Sequence, residues 1–310
     1  MKVSRGLPNS PLPPHPVLTI GNYDGQHLGH HYLLSTMVAH ARKCGGTPMV
    51  LTFAPHPVQV LNPGYNFLFL TNPEEKLKWF ESVGVEHLVI LEFTRSFAEL
   101  SPEEFVDRVL FQGLGARDLF VGEHFVFGKG RAGNALTLTQ MGKRANFKVH
   151  LLKPLGNGDQ VVSSTRIREL IQHGCMEEVR SFLGRQYSLR GRVIEGEHRG
   201  QALGCRTANL HLPVGRVIPP DGIYVTTMVW KDRKYDSVSY IGTRPTFGQG
   251  ERLLEVHLLD ENCVLYGESI EVRFLKCIRG DEVFSSSKDL AARIAFDIEV
   301  AREVLKNEKT

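Results

Sequence analysis

The sequence predicts two architectures in series: an α/β domain with a mostly parallel sheet, then a small antiparallel β-barrel with a terminal helix. Three observations carry this. Short apolar runs alternate with helical spacings through the first 184 residues, the pattern of strand–helix–strand crossovers. Beyond residue 184 the segments are short, glycine-punctuated and rich in Val, Ile and Tyr, the texture of a barrel. The stretch 287–305 then repeats Leu290, Ile294, Ile298, Ala301 and Leu305 on one helical face. The expected domains are therefore 1–184 and 185–310, and a chain of 310 residues is long enough for two.

Composition narrows the function. The apolar fraction of 42% is enough to bury a sizeable core. Lys and Arg total 37 against 34 Asp and Glu, and a net charge of +3 is too balanced to argue for a nucleic-acid partner. No apolar run reaches membrane-spanning length. Residues 1–16 are proline-rich without the apolar run of a signal peptide, and read as an ordered arm or a loose lead-in. Five cysteines without Cys-x-x-Cys spacing point to reduced thiols in the cytoplasm, with packing the expected role of Cys263 and Cys277. These numbers are compatible with a homo-oligomer.

Residues 17–20 form a buried strand, and Leu33, Leu34, Met37, Val38 and Ala41 have the spacing of a helix. Between them lies Gly21-Asn22-Tyr23-Asp24-Gly25-Gln26-His27-Leu28-Gly29-His30-His31. A strand-to-helix turn is where open α/β sheets bind ligands. Gly21, Gly25 and Gly29 permit close backbone approach, and the helix start offers N–H groups and a positive dipole end to an anion. His27 and His30, three apart, both reach that start and make a pocket for a phosphate chain. Simple caps, or a metal held by His27, His30 and His31, are the competing readings; the strand–turn–helix context favours phosphate chemistry. Asn22 and Asp24 either shape this loop or touch the ligand.

The run 47–53 is a second buried strand, stopped by Ala54-Pro55-His56-Pro57. His56 stands at the sheet's carboxyl edge, where a ligand contact and a plain loop role weigh equally. Residues 73–83 read as a helix opened by Pro73, with Leu77 and Phe80 inward. Residues 86–93 and 116–121 read as strands, and Ser101-Pro102-Glu103-Glu104 as a capped helix start. In 122–133, Phe125 and Phe127 alternate with glycines and with Lys129 and Arg131. Either both rings plug the core under a surface turn, or they bracket a flat ring while a basic side chain meets a phosphate; the second reading is preferred.

A helix at 136–145 and a strand at 147–152 lead to Val161-Val162-Ser163-Ser164-Thr165-Arg166-Ile167-Arg168. The hydroxyls cap a helix over 165–173 and leave its amides to an anion, while Arg168 on the same side reaches a phosphate bidentately. A plain cap with a solvated arginine is the alternative. A short helix at 176–183 ends at Gly184.

In the second half the expected strands are 187–194, 222–230, 235–241, 253–258 and 270–275. Gly196, Gly200 and Gly204 recur every fourth residue, a loop able to wrap phosphates. Thr207 and Asn209 set two hard oxygens on one side of an extended segment, which suits Mg2+ shared with a nucleotide, or they are ordinary hairpin residues. Alternation sets Glu255 and His257 on one face and Leu254, Val256 and Leu258 on the other. Glu255 is then a general base or a solvent-facing residue, with Asp260 and Glu261 as rival carboxylates.

The segment 21–30 resembles the signature of the nucleotidyltransferases, and among them the bacterial FAD synthetases, which commonly have Phe and Val where this chain has Tyr23 and Gln26. The Phe-x-Pro-His-Pro form at 53–57, the Phe-x-Phe-Gly segment at 125–133 and Ser-Ser-Thr-x-Ile-Arg at 163–168 are similar to that family's further motifs. Many members carry Arg where this chain has Val126, and Asn or Asp at the position of His124. The stretch 196–209 resembles the Thr-Ala-Asn signature of riboflavin kinases, with Arg206 replacing a proline. The segments 242–247 and 254–258, and Ile278-Arg279 before Phe284, continue that likeness, with departures at Asp281 and Val283.

The resemblance covers about residues 15–305. It implies a Rossmann-like nucleotidyltransferase domain joined to a kinase barrel, the bifunctional riboflavin kinase/FMN adenylyltransferase family. Riboflavin would be phosphorylated to FMN with ATP and Mg2+, and FMN adenylylated by a second ATP to FAD with release of pyrophosphate. The likeness implies His27, His30 and Arg168 as catalytic groups, with Gly21, Asn22, Asp24, Gly29, His56, Ser164 and Thr165 at the ATP that donates the adenylyl group. It implies Phe125, Phe127, Gly128, Arg131 and Arg279 at the flavin, Gly204 at the kinase ATP, Thr207 and Asn209 at Mg2+, and Glu255 as the kinase base. Competing readings are an adenylyltransferase whose barrel is a weak kinase or a flavin-binding regulatory module, a non-catalytic flavin carrier, and a pantetheine-phosphate or nicotinamide-type nucleotidyltransferase. The Thr-Ala-Asn segment speaks against the last.

Overall fold

The computed structural model describes all residues except 9–10, 158–159, 195–206, 244–251, 262, 264 and 309–310. Contacts divide the chain into two compact units, Met1–Ser164 and Thr165–Thr310.

The first unit runs β1 (Lys2–Arg5), β2 (Pro16–Ile20), α1 (Leu28–Cys44), β3 (Thr47–Ala54), α2 (Pro57–Leu61), α3 (Pro73–Val83), β4 (His87–Glu92), α4 (Arg95–Ala98) and α5 (Pro102–Glu104). α5 continues as a π-helix over Phe105–Gly113, followed by β5 (Asp118–Gly122), the small strands β6 (Val126–Phe127) and β7 (Gly133–Asn134), α6 (Ala135–Arg144) and β8 (Lys148–Leu152). Strands β9 (Gly156–Asn157) and β10 (Gln160–Val161) pair as a short hairpin. The main sheet has the order β1-β4-β3-β2-β5-β8, with every pair parallel.

Both faces of this sheet are covered. Leu18, Ile20, Leu51 and Leu119 pack with the π-helix residues Phe105 and Leu110 on one side. Val17, Val50, Leu88 and Phe120 pack on Leu34, Met37 and Ala41 of α1 and on Phe80 of α3 on the other. All five residues of β2 are buried, which is why these strands read as unbroken apolar runs. Each such side chain stabilises the fold by about 1.5–3 kcal/mol when fully buried. The helix starts follow their sequence signals. Ser101 Oγ accepts the Glu104 amide, and Asn72 Oδ1 accepts that of Glu75 at 2.8 Å while Glu75 returns the bond at 2.9 Å.

The N-terminal arm adds β1, parallel to β4 at the sheet edge, with the Ser4 hydroxyl 2.8 Å from His87 Nε2. Four mostly exposed residues carry no alternation that would mark a strand; the partner strand supplies the order.

The second unit holds nearly all of α7 (Ser164–Gln172), then α8 (Met176–Leu183), β11 (Tyr187–Ile194), β12 (Thr207–His211), β13 (Gly222–Trp230), β14 (Arg233–Thr243), β15 (Arg252–Leu258), β16 (Ser269–Gly280) and α9 (Ser287–Asn307). The strands close a barrel in the order β11-β12-β15-β14-β13-β16, all antiparallel. Ala301 and Leu305 of α9 pack on Val225, Val238 and Leu275 of the wall. The change of texture at 184/185 lies beyond the contact division because α8 packs on β11 and β16 and so counts with the barrel.

Candidate active sites

In the first unit the turn after β2 is wound tightly. Tyr23 and Gln26 take φ +51 and Gly25 φ +87. A Cβ at Gly25 would stand 2.6 Å from Leu70 Cδ1, so only glycine fits. Gly21 lies under the Tyr23 ring, and its amide donates to Leu51 O at 3.1 Å, carrying the turn from β2 across to β3. The buried Asp24 carboxylate accepts the amides of Leu70 and Thr71 and the Thr71 hydroxyl, all at 3.1 Å. Asp24 thereby holds the 70–71 backbone against the turn.

His27 is the N-cap of α1: its Nδ1 accepts the His30 amide at 3.2 Å. Its ring stacks on His30 with centroids 3.6 Å apart, and Tyr23 sits edge-on to His30 at 5.1 Å. The two imidazoles are therefore together at the helix start. Gly29, one residue into α1, leaves room beside the His27 ring. Burial pushes His27 down to about 4, against the upward pull of Asp24. Burial holds His30 well below its usual value, helped by the charges of His27 and Lys76. Both rings are thus neutral hydrogen-bonding groups at pH 7.

Four polar atoms at this carboxyl edge are buried without a hydrogen-bond partner among the described residues: Asn22 Oδ1, Gln26 Nε2, His30 Nδ1 and Thr52 Oγ1. Each such group costs about 1–3 kcal/mol unless a ligand or water meets it. Lys76 of α3 donates from Nζ to the Asn22 carbonyl at 2.8 Å, and burial lowers its pKa although Asp24 raises it. Sequence reading had no signal for Lys76 or Thr52, which folding brings from other elements.

Ser164 Oγ donates to the Asp24 carbonyl at 2.8 Å, so the second motif is tied to the first. Thr165 and Arg168 follow on α7, the former exposed and the latter half-buried. His56 stands at the end of β3, as its place in sequence implies. It caps α2 through Nδ1 to the Val58 amide at 3.3 Å and stacks on Phe67 at 4.2 Å.

The 122–133 segment divides its residues between two roles. Phe127 is buried in the core beside Phe105, and Phe125 stacks on it with centroids 5.7 Å apart. Phe127 thus plugs the core and is no open flavin platform. Gly128, at φ +73, is held against Pro102, where a Cβ would come within 2.8 Å. Lys129 pairs with Glu99, and Arg131 projects from the surface.

In the barrel, register builds a second site. Asn209 on β12 lies opposite Glu255 on β15, which lies opposite Tyr240 on β14; Thr207 lies opposite His257. Leu254, Val256 and Leu258 are buried while Glu255 and His257 are half-exposed, as alternation requires. Asn209 is buried and its Oδ1 has no partner among the described residues. That orphaned oxygen, the Thr207 hydroxyl and the facing carboxylate form a hard-oxygen set that fits Mg2+. Burial and Asp281 push the Tyr240 hydroxyl up to about 12. Arg279, expected at the flavin, grips the buried Asp297 of α9 through Nε and Nη2, the latter at 2.9 Å. Gly204, Arg206 and the loop 244–247 lie outside the described residues.

The FAD synthetase family model matches residues 10–166, and the riboflavin kinase model matches residues 183–305. The bifunctional riboflavin kinase/FMN adenylyltransferase of Escherichia coli K12 is 36% identical over 306 residues, covering 98% of this chain and 97% of its own. The chain belongs to this bifunctional family. Its member from Buchnera aphidicola of Schizaphis graminum is 35% identical over 98% of both chains. The member from Bacillus subtilis is 33% identical over 94% of this chain and 93% of its own. A solved structure described as a macrolide-efflux protein from Streptococcus pneumoniae aligns with a TM-score of 0.88 at 31% identity, covering 97% of this chain and 99% of that one. Among the described residues of this chain no helix is long and apolar enough to cross a membrane.

Proposed function

We propose that the chain phosphorylates riboflavin to FMN with ATP in its barrel and adenylylates FMN to FAD in its α/β unit. The observation that carries this is the likeness to bifunctional enzymes over 98% of the chain, with both family models matched in order.

In the adenylyl transfer an FMN phosphate oxygen attacks the α-phosphorus of ATP, and the bond to the bridging oxygen breaks to release pyrophosphate. The neutral His27 and His30 donate ring N–H groups to phosphate oxygens whose charge grows in the transition state. Asn22 and Gln26 offer further polar contacts, and Lys76 a positive charge. Ser164, Thr165 and Arg168 hold the departing pyrophosphate. Gly21 and Gly29 keep the phosphate approach open, and His56 borders the nucleotide. Phe125, backed by Phe127, lines the flavin site with Gly128 and Arg131 at its edge.

In the kinase, Glu255 takes the proton of the riboflavin hydroxyl as that oxygen attacks the γ-phosphorus. Thr207 and Asn209 would hold Mg2+, whose charge would offset that of the ATP phosphates. Arg279, held by Asp297 of α9, stands at the flavin side of the barrel in this reading. A reducing, cytoplasmic setting suits the four described cysteines, all of them free.

The test is chromatography of products from riboflavin, and separately from FMN, with MgATP. Riboflavin yields FMN and then FAD, and FMN yields FAD with pyrophosphate. Absence of FAD from FMN would sink the adenylyltransferase reading; absence of FMN from riboflavin would sink the kinase reading.

A further inference from the structure

A second group of titratable side chains lies toward the amino-terminal ends of the strands, away from the turn that holds His27 and His30. Asp118 opens β5, level with Val17 at the start of β2. Asp118 and Phe120 share the α1 face of the sheet, and register sets His150 of β8 opposite Phe120. α1 brings His40 to the same place, and His15 arrives between two prolines at φ +40, where non-glycine residues rarely sit.

All of these converge on one carboxylate that is 6% exposed. Asp118 Oδ1 is 2.6 Å from His150 Nε2 and 3.2 Å from His40 Nε2; Oδ2 is 2.8 Å from His15 Nε2. The His150 ring lies flat on Phe120, 4.3 Å away with an 8° tilt, which fixes its orientation. His40 lies 4.8 Å from His150 by ring centroid. Two ring nitrogens from different elements, His40 on α1 and His150 on β8, thus meet at the single oxygen Oδ1.

We propose that His40, Asp118 and His150 bind a divalent transition-metal ion of the Zn2+ class, at a site separate from nucleotide chemistry. Two imidazoles and a carboxylate are the donor set that Zn2+ takes, and one that Mg2+, which favours oxygen alone, does not. Tetrahedral ligation sets donor atoms about 3.3 Å apart. The present 2.6 and 3.2 Å separations need only a small parting. On binding, the Nε2 protons move to Nδ1, so that ring lone pairs face the ion. His40 and His150 are about one-third exposed, which leaves an entry path and a fourth position for water. His15, on the other carboxylate oxygen, and Cys44 form a rival triad with Asp118.

The experiment is equilibrium dialysis of the untagged full chain against Zn2+ with excess Mg2+, followed by metal analysis. One Zn2+ is retained per chain, His40→Gln and His150→Gln each weaken it at least about tenfold, and Cys44→Ser leaves it bound. No retained equivalent, or retention unchanged in both histidine variants, overturns the proposal. Loss in Cys44→Ser with retention in His40→Gln moves the ion to the rival triad and overturns it as well. Co2+ substitution of the wild-type chain provides a readout that needs no variant. Visible bands of tetrahedral Co2+ without a thiolate charge-transfer band agree with the proposal, and a thiolate band contradicts it.

Discussion

Tyr23 shows how a single position is wired into the first site. Thr19 Oγ1 gives its proton to Phe120 O at 2.8 Å, so the Tyr23 hydroxyl, 2.7 Å away, donates to Thr19. Tyr23→Phe leaves Thr19 paired and keeps the ring against His30 and Phe80. The expected loss is about 1 kcal/mol, read by urea unfolding; a loss of about 3 kcal/mol or more would mean that the hydroxyl supports the turn itself. His27 and His30 impose a pH dependence. Their folded pKa values lie below the unfolded 6.5, that of His27 at about 4, so below pH 6.5 the unfolded chain binds more protons. Stability from these residues is full above pH 6.5 and falls as pH drops toward 4. The urea midpoint declines across that window, and His27→Asn makes the decline shallower; an unchanged slope in the variant would contradict the assignment. The two histidines were legible in sequence because their spacing and the preceding strand put them at a helix start. Lys76 and Thr52 were not, since only the folded sheet brings α3 and β3 to that turn.

At the scale of elements, α9 is fastened to β16 by Arg279 and Asp297, a nearly buried pair 18 positions apart. The resemblance pointed Arg279 at the flavin, but no local pattern marks Asp297 as its partner. Asp297→Ala leaves a buried guanidinium without its carboxylate and costs about 3–5 kcal/mol in barrel stability. The double substitution of Arg279 and Asp297 costs less than the sum of the singles, and strict additivity in that cycle would show that the pair does not couple. Strands β2 to β5 were legible because both sheet faces are covered and each strand carries a central apolar run. The strand β1 and the π-helix 105–113 were not: β1 owes its order to β4, and a π-turn leaves apolar spacing much as an α-helix does. The row Thr207, Asn209, Glu255 and Tyr240 was half legible. Alternation put Thr207 with Asn209 and Glu255 with His257, and the barrel's register then set their strands, and Tyr240, side by side.

For the molecule as a whole, adenylyl transfer is assigned to the motifs at 21–30 and 164–168, and riboflavin phosphorylation to the barrel strands that carry Thr207, Asn209 and Glu255. The most direct measurement is the product partition of two variants supplied with MgATP and either riboflavin or FMN. His30→Ala converts riboflavin to FMN and stops there, with FAD formation reduced by about 10²-fold or more. Glu255→Gln forms almost no FMN from riboflavin, yet makes FAD from FMN at the wild-type rate. Contradiction would take the form of FAD synthesis surviving in His30→Ala, or of one substitution abolishing both reactions in a folded chain.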